Sequence, residues 1–329
     1  MNRLMHGWAW LGIWLPMAAA GWPVFGQQKE PLAAAQPYRN LAPGVLQSVD
    51  PARQVDESFS RHDLVELLAV ERADVKFDWA RDVAFRHDVW TLEFKFKPVR
   101  MVWVDIPQPS GNMQRKLIRY LVYSVTNKPI QEKTVDEKLL DDENAESLPQ
   151  FGWMHPVRSG DGSYQLQFLN KPIRFVPQFL LDGHESVRED TGFNKVYLDR
   201  VIPIAVRQIT QREDPKRYFF NSAEISKGPL KVGGTAWCVA TWEDVDPQID
   251  RFSVYVKGLT NAYKWTDDPG KYRKDAPSDS YRRLLVKTLK LNFWRPGDEF
   301  REHEEEIRYG VPGGVDYEWV YLVEKGISE

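Results

Sequence analysis

The chain has 329 residues and a mass of 38.3 kDa, 42% apolar and 28% charged, with 44 Lys and Arg against 47 Asp and Glu and one cysteine. Those figures exclude a membrane channel, a collagen-like fibre, a disordered tail and a disulfide-stapled miniprotein. Near-neutral charge with no Lys/Arg-rich run excludes the electrostatic footprint of a nucleic-acid binder. What remains is a globular protein long enough to bury one large core or two of ordinary size, and two is the expectation.

Residues 1–26 carry the pattern of a secretory signal: Arg3, an uncharged apolar run from Trp8 to Leu15, Pro16, and small residues up to Gly26 ahead of polar Gln27. Removal of that segment takes away only Arg3 and leaves 43 positive against 47 negative groups, a net of −4. No later apolar run approaches the roughly 18 residues of a membrane span, so no transmembrane segment is expected after cleavage. None of the ten Asn lies in an Asn-x-Ser/Thr acceptor, which favours a bacterial envelope, periplasmic or extracellular, over a glycosylating pathway.

From 27 to 55 the chain is rich in Pro, Ala and Gln without apolar periodicity and reads as a linker. Ser60, with Asp63 three positions on and a Phe59/Leu64 staple, predicts a helix start with Leu64, Leu67 and Leu68 on one stripe. Strand signals follow. Trp90, Leu92, Phe94 and Phe96 alternate with Thr91, Glu93, Lys95 and Lys97, predicting one buried and one wet face. The alternation runs on through Val99 to Asp105 until Pro107 and Pro109, with Ser110-Gly111-Asn112 as a turn and 117–126 as the next strand. Residues 131–147 are acidic and aromatic-free and read as a solvated loop; Ser159-Gly160-Asp161-Gly162 is a hairpin turn feeding Tyr164, Leu166 and Phe168. Apolar residues between Tyr197 and Ile209 recur at helical steps, but Pro203 requires a kinked or late-starting helix. Strands resume at 235–242, 252–256, 284–293 and 317–323.

The resulting fold class is mainly β: two immunoglobulin-like β-sandwich domains with one or two short accessory helices. The boundaries are 56–190 for the first domain with its N-terminal helix, 191–228 for a helical connector and 229–329 for the second domain. Arg119-Tyr120-Leu121-Val122-Tyr123, echoed by Arg251-Phe252-Ser253-Val254-Tyr255 and followed by Thr126-Asn127 and Thr260-Asn261, suggests duplication; shared strand composition is the competing explanation. In that scheme Trp103 and Trp237 pack across their cores.

The run Val102-Trp103-Val104-Asp105-Ile106-Pro107, with 120–127 and 252–261, resembles a family of uncharacterised secreted bacterial proteins over about residue 59 to the end, with strands in the style of immunoglobulin-type surface modules. The resemblance implies architecture and no catalytic residue.

Chemistry leaves few marks. There is no Gly-x-Ser-x-Gly elbow, phosphate loop, dinucleotide fingerprint or His-Glu-x-x-His helix. Asp244, Asp246 and Asp250 cluster between two strands, where oxygen ligands would suit Ca²⁺, but their spacing is that of an acidic turn before Pro247 rather than a calcium loop. Four His–carboxylate neighbours, at 62–63, 87–88, 184–185 and 303–304, are adjacent without being oriented to pair. Cys238, in an apolar run, is expected to be a buried small hydrophobe. Tryptophan stacks on sugars and anchors interfaces, so Trp153, Trp242, Trp265 and Trp294 are binding candidates if exposed, Trp265 above all because of the turn-rich stretch around it. No cofactor and no catalytic or metal-ligand set is expected; Trp265, Trp242, Asp244, Asp246 and Asp250 are the candidate binding surface. The expected function is an exported non-enzymatic envelope or partner-binding module with an unknown protein or glycan partner. The alternative is an extracytoplasmic hydrolase or carbohydrate-binding protein on a β scaffold.

Overall fold

The computed structural model describes residues 46–51, 59–63, 84–136, 139, 147–184, 195–247, 249–267, 282–296 and 306–323. All of them belong to one unit, Pro37–Glu329. The described strands, in chain order, are β1 (Gln47–Ser48), β2 (Phe59–Asp63), β3 (Ala84–Arg86), β4 (Val89–Thr91), β5 (Glu93–Phe96), β6 (Arg100–Pro107), β7 (Met113–Thr126), β8 (Lys133–Asp136), β9 (Gly152–Arg158) and β10 (Tyr164–Leu169). They continue with β11 (Ile173–Arg174), β12 (Gln178–Gly183), β13 (Val196–Leu198), β14 (Pro229–Leu230), β15 (Thr235–Trp242), β16 (Arg251–Lys257), β17 (Tyr263–Asp267), β18 (Arg282–Trp294), β19 (Arg308–Tyr309) and β20 (Tyr317–Val323). Two helices, α1 (Pro203–Glu213) and α2 (Ser222–Ile225), lie between β13 and β14. The protein is mainly β, with its strands in several antiparallel sheets.

A five-stranded sheet has the order β1-β5-β7-β15, with β6 also on β7; a seven-stranded sheet has the order β13-β12-β16-β18-β17, with β19 and β20 also on β18. Period-two alternation builds the core between them. Phe94 and Phe96 of β5, Leu121 and Tyr123 of β7, and Cys238, Ala240 and Trp242 of β15 share one buried cluster with Phe179 of β12, Phe252 and Val254 of β16, and Leu291 and Phe293 of β18. Rings meet across the gap: Tyr123 and Phe179 at 4.8 Å, Phe96 and Phe293 at 6.1 Å, and Phe179 and Trp242 at 6.4 Å between centroids. Such pairs add about 1 kcal/mol each to the burial of their area. Strands from both sides of the 191–228 segment pair directly, β7 with β15 and β12 with β16.

The opposite face of β7 is apolar too, which explains a run of eight buried residues from Ile118 to Val125. Ile118, Tyr120 and Val122 pack with Val104 and Val239 under Ile202, Ala205 and Ile209 of the α1 segment. Helix α1 begins at Pro203, in its first turn, where the missing N–H costs nothing; this is the late start that the proline required. Tyr197 and Leu198, expected to lie on the same helical face, belong instead to strand β13, paired with β12. A smaller sheet, β4-β9-β10-β8, covers a third cluster of Leu148, Met154, Leu166 and Phe168.

Several other expectations are corrected. Phe59–Asp63 is a strand paired with β3 rather than a helix start, because a short stripe and one cap cannot offset helix nucleation when a partner strand supplies hydrogen bonds. The rest of that predicted helix, 64–71, lies outside the described residues, as does the signal segment. Lys133–Asp136, assigned to a loop, is β8 on the edge of the small sheet. Thr91, Glu93 and Lys97, expected on a wet face, are buried, because that side of the strand is also covered; Glu93 pairs with Lys128 and Lys97 with Glu213. The 159–162 turn forms as expected, with Ser159 and Ser163 closing the β9–β10 hairpin and Gly162 at φ +90°. In the suggested repeat, Tyr120 and Val122 face the α1 layer while their counterparts Phe252 and Val254 face the shared core, so the two copies do not use equivalent faces.

Candidate functional site

The turn from β15 to β16 gathers carboxylates from the chain itself and cations from other elements. Asp244 takes φ +56°, in the left-handed region that a short acidic side chain tolerates, and this turns the chain after Glu243. The carboxylates fan outward and each meets a cation from another element. Lys116 of β7 reaches Asp244 at 2.9 Å and Glu243 at 3.4 Å, and Arg200 also grips Glu243. Lys195 reaches Asp246 at 3.2 Å, and Arg295 holds Asp250 through Nε at 3.0 Å and Nη2 at 2.7 Å. The hydrogen bond that Lys116 donates to Asp244 raises its ammonium above the ordinary value. Asp244, Asp246 and Asp250 are therefore spread over three partners instead of converging, and among the described residues no His/Cys/Asp/Glu group is arranged to hold a metal.

Arg119 anchors the underside of this turn. It lies on β7 opposite Trp242, is 3% exposed, donates from Nη2 to the Asp246 carbonyl at 3.0 Å and stacks over Phe252 at 5.4 Å. Burial, with the charge of Arg295 second, pushes its guanidinium down to about 10.

The tryptophans sort differently from the sequence expectation. Trp242 is fully buried against Phe179 and cannot bind a ligand. Trp265 lies in β17 rather than a loop, half-buried, with the Arg282 guanidinium 5.4 Å from its ring. Trp153 and Trp294 are half-buried as well, under Lys171 and Arg308. Trp103, expected to cross a core, is instead 49% exposed on the β6–β7 ribbon with Arg115 at 5.2 Å. It pairs with Leu117, beyond the Arg119–Trp242 pair where β15 ends, a fact set by strand lengths that periodicity does not report. Trp237 faces the α1 side, under Arg217 at 3.9 Å.

Three polar constellations resemble chemistry without offering it. His184, Ser253 and Asn292 line up across β12, β16 and β18, with Nε2 to Oγ at 2.6 Å and Oγ to Oδ1 at 2.6 Å. Asn292 donates from Nδ2 to the Val315 carbonyl at 2.8 Å, which turns its Oδ1 toward Ser253. The single serine proton goes to Asn292, and His184 must donate to Ser253 rather than accept from it. A buried serine whose hydrogen bond runs away from the imidazole is not an activated nucleophile.

Glu213 ends α1 with its side chain 1% exposed and accepts from Lys97, Arg100 and Tyr120, each at 2.8 Å. Burial alone would raise this carboxyl, but the Lys97 and Tyr120 hydrogen bonds and the two cations outweigh it and hold it below the ordinary range. The Tyr120 phenol rises in turn, through burial first and the Glu213 charge second. The cluster pins the helix C-terminus, where an unpaired acid would oppose the dipole. Cys238 is buried, as expected, beside Tyr123; burial pushes the thiol up to about 12 and the phenol well above its usual value. Nearby, Ser222 donates to Asp199, whose carboxyl burial raises.

Histidine adjacency proves not to be pairing where it is described: Asp88 meets His155 across β4 and β9, while His87 lies against the Tyr263 ring at 4.9 Å. The side chains of 62–63, 185 and 303–304 lie outside the described residues. On the same face of the small sheet as Asp88 and His155 are the cross-strand pair Trp90 and Trp153, 6.3 Å apart, with Gln167 opposite His155. Comparison with protein-family models, curated proteins and solved structures finds no match for this chain.

Proposed function

We propose that the protein is an exported, non-enzymatic β-sandwich module of the cell envelope, structural or partner-binding. The observation that carries the reading is the commitment of its reactive groups: the Ser253 proton to Asn292, Glu213 to three donors, Cys238 to the core, and the acidic turn to four cations. Export rests on the 1–26 segment. The immunoglobulin-like reading is supported by antiparallel sheets that enclose an aromatic interior, with both predicted regions, 56–190 and 229–329, contributing strands to each large sheet. Fractionation of expressing bacteria, followed by crosslinking and pull-down from intact envelopes, tests it. Recovery in the cytosol with residues 1–26 retained, or turnover of a hydrolase substrate lost on a point substitution, would overturn it.

The alternative, carbohydrate recognition, is favoured by one feature. Trp90, Trp153, Asp88, His155 and Gln167 share a half-exposed sheet face and combine rings for sugar C–H groups with polar ends for hydroxyls. A glycan array separates the two: signal lost on Trp153→Ala supports glycan binding, and no signal leaves a protein partner.

A further inference from the structure

The 243–250 segment is acidic in sequence, but basic side chains from other segments surround it. Five cations, Lys116, Arg119, Lys195, Arg200 and Arg295, surround four carboxylates, Glu243, Asp244, Asp246 and Asp250. Among the described residues each of these carboxylates has an ion-pair partner, and Arg119 is the cation left without one. Among the described residues its guanidinium has no ion pair, one hydrogen bond to a carbonyl and an aromatic face, and its buried Nη1 has no hydrogen-bond partner. A buried arginine retains its proton, so an unmatched N–H and an unmatched charge coincide at one atom, a combination that proteins rarely leave unfilled.

The surroundings supply further donors. Arg119 and Arg295 grip consecutive carbonyls of the turn, those of Asp246 and Pro247, at 3.0 and 2.6 Å, which brings the two guanidiniums together under one peptide. The Tyr197 hydroxyl accepts from the Asp246 N–H at 3.2 Å and has its own proton to give. Asp246 and Asp250 face the same region, but their charges are met by Lys195 and Arg295.

We propose that the base of the β15–β16 turn, between Arg119, Arg295 and the Tyr197 hydroxyl, binds a small inorganic anion. The ligand takes the Arg119 Nη1–H and the Tyr197 O–H, neutralises the surplus charge and fixes the turn against β7. Because Nη1 is enclosed, the site selects for small size and slow exchange. This site goes beyond the proposed function and does not depend on it.

The test is thermal unfolding of the purified protein in gluconate buffer at pH 7 and constant ionic strength, titrated separately with chloride and sulfate. Saturable stabilisation is expected, about 3 °C at tenfold excess over Kd for a chain of this size. Which anion saturates at lower concentration identifies the ligand. Arg119→Met should abolish the response while melting no lower than the wild type in gluconate, and Tyr197→Phe should weaken the midpoint several-fold. If Arg119→Met does not fold, Tyr197→Phe decides alone. An unsaturable response, or one equal in wild type and Tyr197→Phe, overturns the proposal and assigns Nη1 to a trapped water.

Discussion

Replacing Glu213 with Gln is the sharpest probe of how α1 is held. The side chain is 1% exposed and its two oxygens take three donors, Arg100 and Tyr120 on Oε1 and Lys97 on Oε2, each at 2.8 Å. Glutamine keeps the shape but removes the charge and turns an NH₂ toward a donor, leaving Lys97, itself 11% exposed, as a cation without its counter-ion. Breaking a buried pair from one side costs about 3–5 kcal/mol; because Lys97 keeps some access to water, the low end, about 3 kcal/mol, applies. At roughly 2 °C per kcal/mol for a body of this size, that lowers Tm by about 6 °C. The pH dependence has a definite sign. Glu213 is depressed in the folded state, so its contribution is complete above the unfolded carboxylate value and is lost as pH falls through the folded one. Urea unfolding between pH 3 and 7 should show the difference between wild type and Glu213→Gln shrinking toward the acid end. Lys97→Met combined with Glu213→Gln should recover part of the loss through a coupling of about 1–3 kcal/mol. A loss below about 1 kcal/mol at pH 7, or a difference that does not change with pH, would refute the clamp.

Further outcomes follow from burial and backbone geometry. Cys238 should resist a thiol reagent in the native protein at pH 8 and react once in urea; rapid native labelling would contradict its place in the core. Trp242→Ala should cost about 3–5 kcal/mol, while Trp103→Ala should stay within about 0.5 kcal/mol and remove the fluorescence most accessible to acrylamide, as quenching and urea titration would record. Gly258→Ala should lose at least about 2 kcal/mol, since the residue sits at φ +89° and a Cβ would lie 2.3 Å from the Val176 carbonyl oxygen; an unchanged melting temperature would count against that close approach.

The strands were legible wherever one period told the whole story: Leu92, Phe94 and Phe96 were expected on a buried face and are buried, and strands expected at 252–256 and 284–293 are β16 and β18. Helix α1 was legible because a proline tolerated at one helical position marked where it starts. Faces buried on both sides were not. Thr91, Glu93 and Lys97 look like solvent residues by type, and only Glu213, more than a hundred positions away, makes the burial of Lys97 affordable. The turn carboxylates were visible as a cluster, but their partners Lys116, Lys195, Arg200 and Arg295 come from four other segments, so the sign of the local field was invisible in the chain. The same holds for the His184–Ser253–Asn292 line, which cross-strand register alone creates.

Hydrogen exchange of the native protein, resolved by peptide, most directly probes the shared interior in which β7 and β15 face β16 and β18. Amides of 118–125, 236–242, 252–256 and 288–293 should open together, with one common free energy and one denaturant dependence. If 118–125 and 236–242 exchange through an opening that leaves 252–256 and 288–293 protected, the two large sheets do not share a core.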